Sequence, residues 1–321
     1  MNKFVKGSFI AAGILMVVGI VFCLISGAVG GINALHIIKN DAYLDGKLET
    51  AENVFESFAD RITGGGWHHN WGTNPTHLTV NGKKAKAEVW EDRISVEDIR
   101  NLELELGAGD FYIREKEAAD GMVDITIEGV GGCNYRVKDK TLHLEGFTGI
   151  KTFGTNTNKN IFTLTFPAGS HFNEADIEIG AGRMELASLQ AEEVSVQIGA
   201  GECVMNQVEA KELSADIGAG NFNANQMRAQ DLSLAVGMGE CFYEGAVEND
   251  LNAECGMGNI ELFLNGEESD YNYELECSAG NIDINGSSVS ALAAERTIQN
   301  GASKTIELEC SMGNISIYFN K

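Results

Sequence analysis

The chain has 321 residues, with 38 glycines and 2 prolines, and a formal net charge of −24 at pH 7. This length allows a sizeable core and one to three domains, and the glycine content is well above the usual share. So acidic a chain is repelled by nucleic acid and by anionic lipid head groups, and neither is expected as a partner. The acidity suits either a solvated surface or the binding of cations and basic partners.

The first predicted element is a transmembrane helix over residues 9–32, which follows a cytoplasmic N-terminus of residues 1–8. The helix segment holds only apolar and small side chains, and about 20 such residues span a bilayer. Lys3 and Lys6 precede it, which favours a single-pass protein of the cell membrane with most of the chain outside the cytoplasm. The alternative is a cleaved secretory signal, but the apolar run is long for one and no small-residue cleavage motif follows.

A juxtamembrane helix is predicted next, over residues 33–63, because apolar side chains recur there at helical spacing. Residues 64–79 follow as a loop rich in glycine, tryptophan and histidine. Trp67 and Trp71 in this loop are candidate ligand contacts, with packing or seating at the membrane interface as alternatives. Neighbouring histidines on such a loop are more often solvated than metal-bound, so we predict no metal and no cofactor.

One short motif recurs over residues 80–321, for example in "DIGAGNF", "IGAGRM", "VGMGEC" and "CSMGNI". In the regular copies its first glycine recurs every 19 residues, at 180, 199, 218, 237 and 256. Apolar and polar residues alternate with period two on both sides of the motif, which indicates a strand, a corner and a second strand. We therefore predict an all-β, single-chain β-solenoid, similar to a parallel β-helix, with about 19 residues per coil.

The paired glycines are predicted to form the corner of each coil, because glycine tolerates positive φ and leaves room for the next coil. The predicted turn glycines are Gly107, Gly109, Gly180, Gly182, Gly199, Gly201, Gly218, Gly220, Gly237, Gly239, Gly256 and Gly258. The later copies place Asn259, Asn281 and Asn314 at one motif position, and these side chains are predicted to form an amide ladder if their coils are adjacent.

Five cysteines fall in columns where other coils place apolar core residues: Cys203, Cys241, Cys255, Cys277 and Cys310. Buried cysteine behaves as a small hydrophobic residue, so we expect free core thiols. A disulfide is the alternative in an exported protein. Cys255 and Cys277 are then the favoured pair, since successive coils would place them side by side.

The motifs do not indicate dinucleotide binding, calcium-binding repeats or a carbohydrate-active enzyme. The dinucleotide fingerprint needs a third glycine and a following helix, and both are missing after these GxG corners. Calcium-binding repeats have a shorter period with aspartate at the turn, whereas the residue after GxG varies here. No constellation of carboxylates suggests a glycosidase or lyase, so an enzyme is not predicted.

The segments "LELELGAGDFYI", "ADIEIGAGRMEL", "VSVQIGAGECVM" and "LSADIGAGNFNA" and the closing "GNI" copies resemble the bacterial putative-adhesin family of β-strand repeat proteins, named for a domain of unknown function. The resemblance covers approximately residues 90–320. It implies a cell-envelope β-solenoid with an N-terminal anchor and no catalytic motif. The function expected is non-enzymatic binding, scaffolding or adhesion, with an envelope polymer, a surface protein or another membrane protein as partner.

The alternative function is envelope-stress sensing, in which the solenoid binds cationic peptides or wall fragments and a partner membrane protein reports the event. The acidic composition suits cationic peptides. A carbohydrate-active enzyme is less favoured.

Overall fold

The structure is a computed structural model that describes residues 77–86, 88–107, 109–117, 120–148, 160–289 and 294–320. The predicted transmembrane segment 9–32, the juxtamembrane helix 33–63, Trp67 and Trp71 lie outside these residues. Within the described ranges, none of the helices has the length and apolarity needed to cross a membrane. The first described strand begins at Leu78, two residues before the predicted boundary at residue 80.

The described residues form an all-β architecture of 24 strands in one hydrogen-bonded network, with two single-turn 3₁₀ helices at Val96–Asp98 and Glu268–Asp270. In chain order the strands are β1 Leu78–Val80, β2 Lys83–Lys84, β3 Val89–Ser95, β4 Asn101–Leu106, β5 Asp110–Lys116, β6 Met122–Glu128, β7 Gly131–Lys138, β8 Thr141–Thr148, β9 Ile161–Pro167, β10 His171–Ile179, β11 Arg183–Leu186, β12 Leu189–Ile198, β13 Glu202–Asn206, β14 Val208–Ile217, β15 Asn221–Val236, β16 Glu240–Val247, β17 Leu251–Cys255, β18 Asn259–Asn265, β19 Tyr271–Cys277, β20 Asn281–Ile284, β21 Ser287–Val289, β22 Ala294–Ile298, β23 Lys304–Cys310 and β24 Asn314–Asn320.

Each coil consists of a strand that enters a GxG corner and a strand that leaves it. The entering strands stack in parallel as a first sheet, in the order β8, β4, β10, β12, β14, the end of β15, β17, β23 and β19. The leaving strands stack as a second sheet, in the order β9, β5, β11, β13, the start of β15, β16, β18, β24 and β20. The architecture is therefore solenoid-like, as the period predicts.

The register of the regular coils reproduces the 19-residue period. Ile177 pairs with Val196, Val196 with Ala215, and Ala215 with Leu234. These side chains point inward and are at most 2% exposed. Burying one large aliphatic side chain stabilises by about 1.5–3 kcal/mol, so the alternating pattern supplies a continuous core that a single coil could not form.

The second glycine of each corner packs against the backbone of the neighbouring coil. A Cβ atom on Gly201 would lie 2.4 Å from the carbonyl oxygen of Gly182, and one on Gly239 would lie 2.0 Å from that of Gly220. Among the described motif glycines, only Gly109 has a left-handed φ, at 152°. The positive-φ explanation is therefore wrong for the regular copies, where the close approach of adjacent coils requires glycine.

The coils do not stack in chain order at the C-terminal end. β23 and β24 insert between the coil of β17 and β18 and the coil of β19 and β20. Cys310 consequently pairs in register with both Cys255 and Cys277. The predicted adjacency of Cys255 and Cys277 is wrong, because one whole coil separates them.

The N-terminal end shows a similar insertion. β4 and β5 lie between the coil of β8 and β9 and the coil of β10 and β11. Beyond β8 and β9 the pairing becomes antiparallel, with β7 on β8, β6 on β9 and β3 on β6. β6 thus contributes to an antiparallel end of the stack and not to a parallel coil.

Antiparallel strands also close the C-terminal end, where β22 pairs with β19 and β21 with β20. Short antiparallel strands cover the long parallel edges that would otherwise invite pairing with another chain. The final segment "NISIYFN" is β24, and it is flanked on both sides by β18 and β20. The last described strand is therefore an internal strand of the second sheet.

Candidate functional site

The outward surface of the first sheet is strongly acidic. Its outward side chains form three columns that run across the coils, and we call these columns together the acidic face. Their carboxylates belong to Glu103, Glu105, Glu145, Glu174, Asp176, Glu178, Glu193, Glu212, Asp216, Asp231, Asp250, Glu254, Glu274, Glu276, Glu307 and Glu309. Over the strands described here, the same columns contain no lysine and no arginine.

The first of these columns follows directly from the sequence period. Glu193 pairs in register with Glu212, and Glu212 with Asp231. Asp250 continues the column, since its backbone N–H donates to Asp231 Oδ1 at 3.3 Å, while its own Oδ1 accepts from the Thr305 N–H at 2.8 Å. Adjacent strands lie about 4.8 Å apart, and like charges at that spacing destabilise the sheet.

Mutual repulsion and partial burial raise the pKa of several of these groups. The nearby Asp176 carboxylate raises the pKa of Glu174, with desolvation and Glu193 adding to the effect. Desolvation raises the pKa of Asp216, and desolvation together with the charges of Asp216 and Glu307 raises that of Glu254. The repulsion and desolvation of these carboxylates therefore lower the stability of the folded chain, and a bound cation would reduce this electrostatic penalty.

Cationic side chains are found at the rim of the acidic face. Lys211 contacts Glu192, and these two residues directly precede Glu212 and Glu193 of the acidic face in the sequence. Arg228 Nη1 lies 2.9 Å from Glu248 Oε1 at the same rim. Within the acidic columns the one side chain that can become cationic is His143, over the strands described here, and its Nδ1 lies 2.7 Å from Glu103 Oε2.

An open groove of about 550 Å³ runs along the acidic face. Its charged lining comes from six coils and consists of Glu193, Glu212, Asp231, Asp250, Glu274 and Glu307. Ser214, Ser233 and Asn252 add hydroxyl and amide groups to the same groove. Five inter-coil spacings of about 4.8 Å make the groove roughly 24 Å long, which accommodates about seven residues of extended peptide.

The outward surface of the second sheet has a different chemistry. Asn314 Nδ2 donates to Asn259 Oδ1 at 2.9 Å, which confirms the amide ladder for this pair, and Asn281 pairs in register with Asn314. The rings of Phe263 and Tyr318 stack with centroids 5.0 Å apart. These side chains pack on one another along the coil axis, which stabilises the contact between neighbouring coils.

The structure places the described turn glycines at the corners, away from the acidic face. Sequence reasoning missed the column of Glu193, Glu212, Asp231 and Asp250, although the signal was present: each residue stands 13 positions after the first glycine of a regular motif. The six cysteines among the described residues are buried and free. In the same part of the chain, histidine, cysteine, aspartate and glutamate form no group of three or more arranged to hold a metal ion.

A stack of repeated β coils with one acidic outer sheet defines a solenoid-like repeat protein. The chain belongs to the Toastrack DUF4097 family, whose model matches residues 99–318. This membership agrees with the resemblance drawn from the GxG repeats. No curated protein matches the chain.

Solved structures of similar proteins come from Bacteroides, Clostridium and Parabacteroides species. A putative adhesin from Bacteroides fragilis NCTC 9343 is 16% identical, with a TM-score of 0.39, over 73% of this chain and 98% of that protein. A putative cell adhesion protein from Clostridium sporogenes ATCC 15579 is 15% identical, with a TM-score of 0.33, over 72% of this chain and 99% of that protein. A putative lipid binding protein from Parabacteroides distasonis ATCC 8503 is 12% identical, with a TM-score of 0.30, over 75% of this chain and 99% of that protein.

Proposed function

We propose that the chain is a non-enzymatic binding protein of the bacterial cell envelope, and that its acidic face binds a basic peptide segment. The observation that carries the proposal is the run of carboxylates across successive coils without an interspersed lysine or arginine. In the proposed arrangement residues 9–32 anchor the protein in the membrane and the coils lie outside the cytoplasm.

The chemistry of the groove favours this class of ligand. A basic peptide places several ammonium or guanidinium groups against carboxylates that repel one another in the free protein. Individual exposed ion pairs contribute only about 0.2–1 kcal/mol, so a useful affinity requires many of them in a row. The repeated coils supply such a row, and the serine and asparagine side chains offer hydrogen bonds to the peptide backbone.

Charge neutralisation of one column tests the proposal. The ligand is an oligolysine peptide, and the variant of the full chain carries Glu193→Gln, Glu212→Gln, Asp231→Asn and Asp250→Asn. The matched control removes the same charge from the second sheet through Glu185→Gln, Glu202→Gln, Glu240→Gln and Glu261→Gln. We expect calorimetry to show at least about tenfold weaker binding, or about 1.4 kcal/mol, for the first variant only.

Equal weakening in both variants would mean that net charge alone attracts the peptide, and the proposed face would be wrong. Binding that persists in both variants would place the ligand elsewhere. Binding should also weaken steeply with added salt, since the contacts are between exposed charges.

A further inference from the structure

The residue between the two glycines of each corner changes from alanine to methionine along the stack. It is alanine in the first three regular coils, at Ala181, Ala200 and Ala219. It is methionine in the last two regular coils, at Met238 and Met257, and in the later coil of Met312. Because the same corner forms with alanine, packing of the corner does not require a long side chain there.

The three methionines stand directly above one another. Each donates its backbone N–H to the first corner residue of the preceding coil: Met238 to the Gly218 oxygen at 2.8 Å, Met257 to Gly237 at 2.7 Å, and Met312 to Gly256 at 2.7 Å. Adjacent coils are about 4.8 Å apart, so the three side chains emerge in one column at that spacing.

Chain order alone would not bring the three residues together. The motif that follows Met257 in the sequence contains Ala279 at this position. The insertion of β23 and β24 places Met312 next to Met257 and moves Ala279 one coil further away, since Ala279 N–H donates to the Ser311 oxygen at 2.7 Å. The topology therefore produces an uninterrupted methionine column.

These side chains are also unusually accessible. Met257 is 39% exposed and Met312 is 60% exposed, and Met238 is partly exposed. By contrast Met184, Met205 and Met227 are at most 2% exposed and fill the core. Because these methionine side chains are exposed, their burial contributes little to the stability of the fold. Their thioether groups are therefore candidates for a role in binding.

We propose that Met238, Met257 and Met312 form a binding site for a soft monovalent cation, Cu(I) or Ag(I), held by three thioether sulfurs. Thioether sulfur is a soft donor that selects Cu(I) over hard cations. The methionine side chain has three rotatable bonds, which allow sulfurs from adjacent coils to converge on one ion. Glu254 and Glu309 stand two residues before two of these corners and add a negative field that attracts a cation.

A thioether carries no proton at any ordinary pH, and this property separates the site from thiolate or carboxylate sites. Cation binding by thiolate, imidazole or carboxylate weakens in acid because protons compete for the ligand. Binding by the methionine column should instead stay constant from about pH 7 to about pH 5. The buried thiols of Cys255 and Cys310 lie inside the same corners, so pH dependence distinguishes them from the methionines.

The test uses the full chain and Cu(I), kept reduced and free of oxygen, in competition with a chromophoric Cu(I) chelator. The ligand-removal variant is Met238→Leu, Met257→Leu and Met312→Leu, which preserves side-chain volume and every cysteine. Met122→Leu, a partly exposed methionine on β6, is the matched control. We expect the chain and the control to bind one Cu(I) with a pH-independent affinity, and the triple variant to lose that equivalent. Ag(I) should give the same result without redox chemistry.

Oxidation provides a second readout that does not depend on the variants. Hydrogen peroxide transfers one oxygen atom to each thioether sulfur and leaves as water, so the exposed methionines become sulfoxides. Loss of Cu(I) binding should follow the conversion of Met257 and Met312, measured by peptide mass. Undiminished binding by the triple Leu variant, no binding by the chain, or an affinity that falls in acid would overturn the proposal.

Discussion

Gly220 lies at a corner where the backbones of two coils approach each other closely. A Cβ atom added there would stand 2.3 Å from the Gly201 carbonyl oxygen and 2.6 Å from Ile198 Cγ2. Since the obstacle is backbone, a small side-chain adjustment cannot relieve it. We expect Gly220→Ala to lower the free energy of unfolding by about 3 kcal/mol, at the upper end of overpacking effects. Thermal melting of the full chain followed by circular dichroism measures this loss.

The neighbouring Ala219 gives the control for this substitution. It occupies the middle of the same corner and is partly exposed. Ala219→Ser should change the unfolding free energy by no more than about 0.5 kcal/mol, as is usual for surface positions. Similar melting of Gly220→Ala and the unchanged chain would show that the coils can separate at the corner, against the close approach seen here.

At the scale of strands, the inserted pair β23 and β24 should be among the most protected elements. Each has a parallel neighbour on both sides, whereas β21 pairs with β20 alone. Amide hydrogens exchange slowly where opening requires disruption of several coils. Hydrogen exchange by mass spectrometry should therefore show β24 amides exchanging as slowly as those of β18 and far more slowly than those of β21.

Rapid exchange across residues 304–320, comparable with β21, would contradict the insertion and favour a terminal coil that frays. The peptides of β18 serve as the internal reference in the same experiment. The strand at the chain terminus is the usual place for fraying, which makes slow exchange there a demanding result.

The strands and their register were predictable, but the order of the coils was not. Alternation around "IGAGEC" fixes which side chains point inward, and the 19-residue period fixes which of them stack. The coil order is different, because the inserted coil places Leu308, Cys310, Ile315 and Ile317 in the same columns as every other coil. Such a pattern fits any position in the stack, so the sequence does not specify its neighbours.

The candidate site was also predictable only in part, because the period reveals which residues stack but not the order of the coils. The acidic composition indicated basic partners, and the period contains the column of Glu193 and Glu212. The methionine column could not be found from chain order, since Met312 follows Ala279 in the sequence. Only the insertion of its coil places it beside Met257.

At the scale of the whole molecule, the acidic face makes stability depend on pH. Desolvation first, and then the neighbouring carboxylates, raise the pKa of Glu309. The pKa values of Asp216 and Glu254 are raised as well, chiefly by desolvation. A carboxyl whose pKa is raised on folding holds more protons in the folded state, so its ionisation destabilises the fold as pH rises through the raised pKa.

Other carboxylates act in the opposite direction at lower pH. The Met122 backbone N–H is the main cause that lowers the pKa of Asp120, and the Lys116 side chain is the main cause for Asp124. The stability that these two contribute is present above their ordinary pKa and is lost as pH falls through the lowered pKa. The raised and the lowered carboxyl groups together predict a stability maximum in mild acid, close to the ordinary carboxyl pKa of about 4.

We therefore expect the full chain to melt at a higher temperature near pH 5 than near pH 7. The variant Asp216→Asn, Glu254→Gln and Glu309→Gln should melt higher than the unchanged chain near pH 7 and depend less on pH. Because these groups are partly solvated, screening limits the combined gain to about 1 kcal/mol, or about 2–4 °C. Added salt should raise the melting temperature of the unchanged chain more than that of the variant, since it screens the same repulsion. A variant that melts lower near pH 7 would mean that these carboxylates stabilise the stack, and the cost assigned to the acidic face would be wrong.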